Sequence, residues 1–170
     1  MSQHMVIDSV QFADQRGSLE GNLTLSQLSR LAADVISLDE ESLHYSLQGD
    51  RGDRDELLLY LKLSGKLVLR CQRCLQPLRV HLDVDVCFEL RDGLDDDVLL
   101  QEDLEDDTRD YLPASRSMDL VSLIEDEAIL ALPPVPRHAD CAVPEMRHDP
   151  EAASPFGMLL GLKGQTGKTH

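Results

Sequence analysis

The sequence predicts an α+β fold, in which two or three helices pack on an antiparallel β-sheet that contains one long Cys-x-x-Cys hairpin. Apolar and polar residues alternate along 57–71 and again along 80–90, which is the period of a half-buried strand. The segment CQRCLQP joins these two runs and predicts the turn of the hairpin. After Asp119 the apolar residues recur every three or four positions, which predicts a helix packed by one face.

Shorter patterns predict the remaining elements. Alternation over 19–25 indicates a strand, and Ser26 is a candidate N-cap for a brief helix after it. A weaker strand is predicted around 43–47, followed by a turn over 48–56, where Gly and Asp are frequent. A last short helix is predicted to begin at Ser154.

The length of 170 residues fits one domain, 1–170, that buries its core without disulfides. Within it, residues 92–110 include ten acidic residues and one Arg, too many charges for a packed element. We therefore expect a mobile acidic loop over 92–117. The Gly- and Lys-containing residues 164–170 predict a flexible tail.

Composition restricts the possible functions. Thirty-two acidic residues against 16 Lys and Arg give a net charge of -16, which repels nucleic acid from most of the surface and favours a basic partner. Aromatic residues make up 4% with no Trp, which disfavours base stacking. The N-terminus has no signal-peptide pattern and no stretch suits a membrane span, so we expect a cytoplasmic protein without a membrane partner.

Known catalytic motifs are missing from the sequence. It contains no phosphate-binding glycine loop, no nucleophile elbow and no His-Glu-x-x-His motif. We therefore expect no enzymatic activity and no small-molecule substrate.

The Cys-x-x-Cys motif favours a metal site over a redox pair. A redox pair needs a helix to begin within the motif, whereas here Cys71 and Cys74 precede Pro77 and a strand. A second pair, His138 and Cys141, completes a Cys₃His set suited to a structural zinc ion. In the alternative interpretation, the cysteines are small turn residues and the histidine is solvated.

Several other reactive groups are expected to be inert. Cys87 has the opposite parity to its apolar neighbours and no adjacent basic residue, so a packed thiol is favoured over a reactive one. Glu125, Asp126 and Glu127 are consecutive and point in different helical directions, which predicts a solvated face and not an acid–base site.

The hairpin is basic in an otherwise acidic chain. Residues 57–82 contain no Asp or Glu. The candidate contacts for nucleic acid or a partner are Lys62, Lys66, Arg70, Arg73, Arg79 and His81. These side chains either contact RNA phosphates or pair with the acidic loop, and the pattern alone leaves both open.

An apolar face is predicted near the C-terminus. It comprises Phe156, Leu159, Leu160 and Leu162. This face either contacts a partner protein or packs on the core of the domain.

Taken together, these motifs resemble the YceD family, the large ribosomal RNA subunit accumulation proteins of bacteria and plastids. The resemblance runs through LTLSQLSRLA, LVLRCQRCLQPL, DLVSLIEDEAILALPPVP, the segment with His138 and Cys141, and PFGMLLGLK. Many members of that family carry a second Cys-x-x-Cys motif where this chain has only His138 and Cys141. That departure weakens the zinc expectation for this chain.

The resemblance implies a non-catalytic factor that supports 23S ribosomal RNA accumulation, through synthesis, processing or assembly of the large subunit. The implied partners are a basic ribosomal protein, 23S ribosomal RNA or an enzyme that processes it. One alternative is an acidic interaction module that regulates an RNA-processing or RNA-modifying enzyme. Another is a metal-dependent or thiol enzyme that acts on RNA.

Overall fold

The computed structural model describes residues 5–36, 42–92 and 109–144. Its elements in chain order are β1 (Val6–Ile7), α1 (Ser9–Asp14), β2 (Ser18–Thr24), a 3₁₀ turn (Leu25–Gln27), α2 (Ser29–Asp34), β3 (Ser42–Arg51), β4 (Leu57–Arg70), β5 (Pro77–Arg91), β6 (Asp110–Pro113), β7 (Met118–Asp119) and α3 (Leu120–Leu130). The predicted α+β class is confirmed.

The main sheet has five strands in the order β2-β3-β4-β5-β6. Its neighbours are antiparallel except for β5 and β6, which are parallel. A separate two-stranded ribbon pairs β1 with β7 and brings the N-terminal segment to the start of α3. The sheet is therefore mixed, not purely antiparallel.

The predicted hairpin is the longest feature of the sheet, with 14 residues in β4 and 15 in β5. Its alternation places one row of side chains in the core, including Leu59, Leu61 and Leu67. Gly65 keeps the register, paired with Leu82, and a Cβ at this position would collide with the side chain of Leu43. The glycine thus permits a close approach to β3.

Leucine side chains form most of the core between the sheet and the helices. Asp119 caps α3 by accepting hydrogen bonds from the backbone N–H groups of Val121 and Ser122. Leu120, Ile124 and Ala128 lie on the buried side of this helix. Among the helices of the described residues, none is long and apolar enough to cross a membrane.

Several predicted boundaries were wrong. The capping residue before the first turn is Thr24 and not Ser26, because Gln27 returns its side chain to the Thr24 backbone N–H. β3 continues to Arg51, since pairing with β4 compensates for its poor strand propensity. The short helix α1 was not predicted at all.

The acidic loop expected over 92–117 lies mostly outside the described residues. Its last part differs from the expectation, because Asp110–Pro113 is strand β6, paired with the end of β5. Four residues give too little alternation to be recognised without that partner. The helix expected at Ser154 and the tail over 164–170 also lie outside the described residues.

Candidate metal centre

The turn of the hairpin meets the segment that follows α3. Cys71 and Cys74 lie on the turn, and His138 and Cys141 come from that later segment. One ligand atom from each of the four side chains lies within 4.8 Å of every other. The structure therefore brings together the four metal ligands that the sequence predicts.

The spacing of these atoms fits a tetrahedral ion. The sulfurs of Cys71 and Cys141 are 3.7 Å apart, and the Cys74 sulfur is 3.3 Å from Nδ1 of His138. Two thiolates bound to Zn²⁺ at about 2.3 Å in a tetrahedron are about 3.8 Å from one another. Three sulfurs and one imidazole nitrogen form a set that suits zinc.

Backbone hydrogen bonds shape the turn that carries the first two cysteines. The Cys71 N–H donates to the carbonyl of Gln76 at 3.0 Å, and the Leu75 N–H donates to the carbonyl of Cys71 at 2.9 Å. Leu75 has a positive φ of 64°, which reverses the chain. The Gln72 N–H donates to the carbonyl of Pro136 at 2.8 Å and attaches the later segment.

The imidazole of His138 is oriented by a second contact. Its Nε2 lies 3.1 Å from the carbonyl oxygen of Pro77. A carbonyl only accepts, so Nε2 carries the hydrogen and donates, and in the neutral ring Nδ1 keeps its lone pair. That lone pair belongs to the atom nearest Cys74, which is the arrangement of a metal-binding histidine.

The surroundings of Cys71 and Cys74 shift the pKa values of the two thiols in opposite directions. Burial acts to raise the pKa of Cys71, but the backbone amides of Cys74, His138 and Arg73 donate to its sulfur and lower the pKa to about 5. The Gln76 amide acts to lower the pKa of Cys74, but burial and the adjacent thiols of Cys71 and Cys141 raise it. A metal cation in place of the remaining thiol protons would relieve this competition between burial and hydrogen bonding.

One basic residue of the hairpin is engaged by the cluster. The Arg73 Nε donates to the sulfur of Cys141 at 3.0 Å, and its Nη2 donates to the carbonyls of His138 at 2.8 Å and Ala139 at 3.1 Å. These bonds engage Nε and Nη2 of the guanidinium, and the expectation that Arg73 contacts a nucleic acid or partner stays a prediction.

A smaller basic surface remains beside the cluster. Lys62 forms an exposed ion pair with Asp85 on the neighbouring strand at 2.9 Å. The residues that remain are all exposed on one face of the hairpin, where Lys66 is directly opposite His81: Lys66, Arg70, Arg79 and His81. In the described part of the chain none of these four forms an ion pair. We refer to them as the basic surface.

Comparison with known proteins identifies the family of this chain. The family model described as large ribosomal RNA subunit accumulation protein YceD matches residues 59–155, which is more than half of the chain. The chain belongs to the YceD family. A protein of that name from Haemophilus influenzae is 28% identical over 173 residues, covering 94% of this chain and 95% of the relative. No solved structure matches the chain.

For this member of the YceD family, the resemblance read from its motifs is confirmed. The family match begins within β4 and includes both halves of the metal-ligand set. The sequence motif and the spatial cluster therefore lie within one matched region.

Cys87 lies apart from the metal cluster on β5, directly opposite Tyr60. It is half-buried, and burial raises the pKa of its thiol. A raised pKa reduces the fraction of thiolate, which agrees with the expectation of an inert side chain.

Glu125 differs from the solvated acid that its sequence position suggested. It is only 6% exposed, and its carboxylate accepts from the backbone N–H groups of Arg30 at 2.7 Å and Leu31 at 3.2 Å. The Arg30 Nε donates to the same carboxylate at 2.8 Å. Glu125 therefore caps the first turn of α2 from another helix, a contact that sequence spacing does not reveal.

The apolar face expected near the C-terminus, with Phe156, Leu159 and Leu160, lies outside the described residues. Its contacts remain a prediction.

Proposed function

We propose that this protein is a non-catalytic factor that supports accumulation of 23S ribosomal RNA during synthesis, processing or assembly of the large ribosomal subunit. Its relative in Haemophilus influenzae is named for large ribosomal RNA subunit accumulation. The observation that carries the proposal for this chain is the basic surface beside the metal cluster, on a protein with a net charge of -16.

The basic surface contacts RNA phosphates. Arg70 and Arg79 each present a guanidinium that can bind phosphate, and Lys66 adds a third cation on the same exposed face. Three phosphate contacts with single-stranded RNA give a log–log salt slope of about −2, because each contributes about −0.7. Binding is therefore weak, salt-sensitive and independent of base sequence.

The acidic remainder of the molecule determines which way RNA approaches. Like charges repel the RNA elsewhere on the surface, so contact is restricted to the hairpin. The same acidic surface attracts a basic ribosomal protein. We expect this activity in the cytoplasm, where the protein acts between RNA and its protein partners.

The metal centre has a structural role. Cys71, Cys74, His138 and Cys141 would hold a zinc ion, and its bonds to them would tie the hairpin turn to the segment after α3. Three thiolates and one imidazole fill all four positions, which leaves no open position for a substrate. This arrangement supports a folding role and disfavours the metal-dependent or thiol enzyme.

A second candidate function is an acidic module that regulates an RNA-processing or RNA-modifying enzyme. The composition favours it, because a net charge of -16 suits a basic protein surface. The apolar residues Phe156, Leu159 and Leu160 are the proposed partner contact in this case. Removing them abolishes partner capture and leaves RNA crosslinking unchanged if this function is correct.

The test of RNA contact is ultraviolet crosslinking in cells that express tagged variants. Arg70→Ala with Arg79→Ala removes two cations from the basic surface and is expected to reduce 23S ribosomal RNA crosslinks at least fivefold. Arg54→Ala with Arg116→Ala is the matched control, because both side chains are exposed outside the hairpin ribbon. Equal crosslinking by the two double variants contradicts direct contact through the basic surface.

A further inference from the structure

Arg73 lies between the two cysteines of the turn, yet its side chain donates hydrogen bonds to the other half of the ligand set. Its Nε is 3.0 Å from the Cys141 sulfur, and its Nη2 reaches the carbonyls of His138 and Ala139 at 2.8 and 3.1 Å. One guanidinium therefore binds a ligand atom, the backbone of a second ligand and the residue after it.

The net charge of the zinc-bound cluster favours a positively charged side chain beside it. Three thiolates and a neutral imidazole around Zn²⁺ carry a net charge of −1. The positive charge of the Arg73 guanidinium brings the total to zero. Half-buried charge is costly in free energy unless it is compensated, and the Arg73 guanidinium is hydrogen-bonded directly to the Cys141 sulfur.

We propose that Arg73 is a positioning residue of the metal centre, which neutralises the cluster and fixes His138 and Cys141 against the hairpin turn. This inference rests on the metal centre proposed above. It removes Arg73 from the RNA-contacting residues and assigns to it the anchoring of the segment after α3.

The shape of the guanidinium matters as well as its charge. Nε and Nη2 lie in one plane and donate in fixed directions to the sulfur and the two carbonyls. A lysine ammonium carries the same charge but lacks this planar fork. Arg73→Lys is therefore expected to restore only part of the function lost in Arg73→Ala.

The metal affinity of the full chain tests this role. Zinc is titrated against a competing chelator for the wild type, Arg73→Ala and Arg73→Lys, with Arg79→Ala as a control that removes an exposed cation from the same hairpin. Loss of an outer contact to a metal ligand reduces affinity by about 10- to 100-fold. We expect that loss in Arg73→Ala, a smaller one in Arg73→Lys and none in Arg79→Ala.

A second measurement distinguishes loss of the contact between Arg73 and Cys141 from a general loosening of the metal cluster. In the zinc-loaded protein, iodoacetamide labelling is followed at each cysteine by mass spectrometry. Arg73→Ala is expected to accelerate labelling at Cys141, whose sulfur loses its donor, and to leave Cys74 unchanged. Equal acceleration at both cysteines indicates general loosening and overturns the assigned contact.

The two proposals fail in different ways. A wild-type protein without stoichiometric zinc eliminates the metal centre and Arg73's role with it. A zinc-loaded wild type matched in affinity by Arg73→Ala overturns only the role of Arg73. Arg73→Lys provides the comparison if the alanine variant does not fold.

Discussion

Nδ1 of His138 lies 3.3 Å from the sulfur of Cys74, a residue 64 positions earlier in the chain. This contact joins the hairpin turn to the segment after α3, whose described residues 131–144 form no helix or strand. Because the four ligands come together only in the folded chain, a metal ion bound there adds its binding free energy to folding.

The first prediction concerns metal content. Protein purified without a histidine tag is expected to contain one zinc ion per chain, measured by elemental analysis. Cys74→Ser removes one of the four ligands and is expected to lose the zinc, whereas Cys87→Ser leaves the content unchanged because Cys87 lies outside the cluster. Folded wild-type protein with no metal contradicts the centre.

The second prediction concerns the buried carboxylate of Glu125. Glu125→Ala removes the acceptor for two backbone N–H groups of α2 and is expected to reduce the free energy of unfolding by about 2 kcal/mol. The neighbouring Asp126→Ala removes only an exposed pair with Arg30 and should cost less than about 0.5 kcal/mol. Urea denaturation measures both, and equal losses refute the capping role.

The third prediction is a pH effect at Glu127. Burial, followed by the charges of Asp110 and Asp126, raises the pKa of this carboxyl in the folded state. A raised pKa means that the charged form destabilises the fold as pH rises through it. Glu127→Gln should therefore be more stable than wild type at pH 7, and the difference should vanish below about pH 4. A pH-independent difference contradicts this cause.

Local alternation was enough to predict the hairpin. Along β4 and β5 the less exposed side chains largely alternate with more exposed ones, so the period of two in the sequence results from packing on one face. The metal ligands could also be predicted, because a Cys-x-x-Cys turn followed later by a His and a Cys supplies the Cys₃His set that zinc prefers. The hairpin and the metal ligands could therefore both be predicted from short stretches of sequence.

Contacts between distant segments could not be predicted in this way. Strand β6 is too short to show a period, and its parallel pairing depends on where the chain returns to β5. Glu125 looked like a solvated helix residue because its partners Arg30 and Leu31 lie far away in sequence. Arg73 was grouped with the other cations because charge alone does not reveal its hydrogen-bond acceptors.

The most direct test of the proposed function is the ratio of mature 23S to 16S ribosomal RNA in cells depleted of this protein. The proposal predicts a selective fall in 23S that re-expression of the wild-type chain restores, and that Arg70→Ala with Arg79→Ala restores only in part. An unchanged ratio under full depletion contradicts a role in large-subunit RNA accumulation.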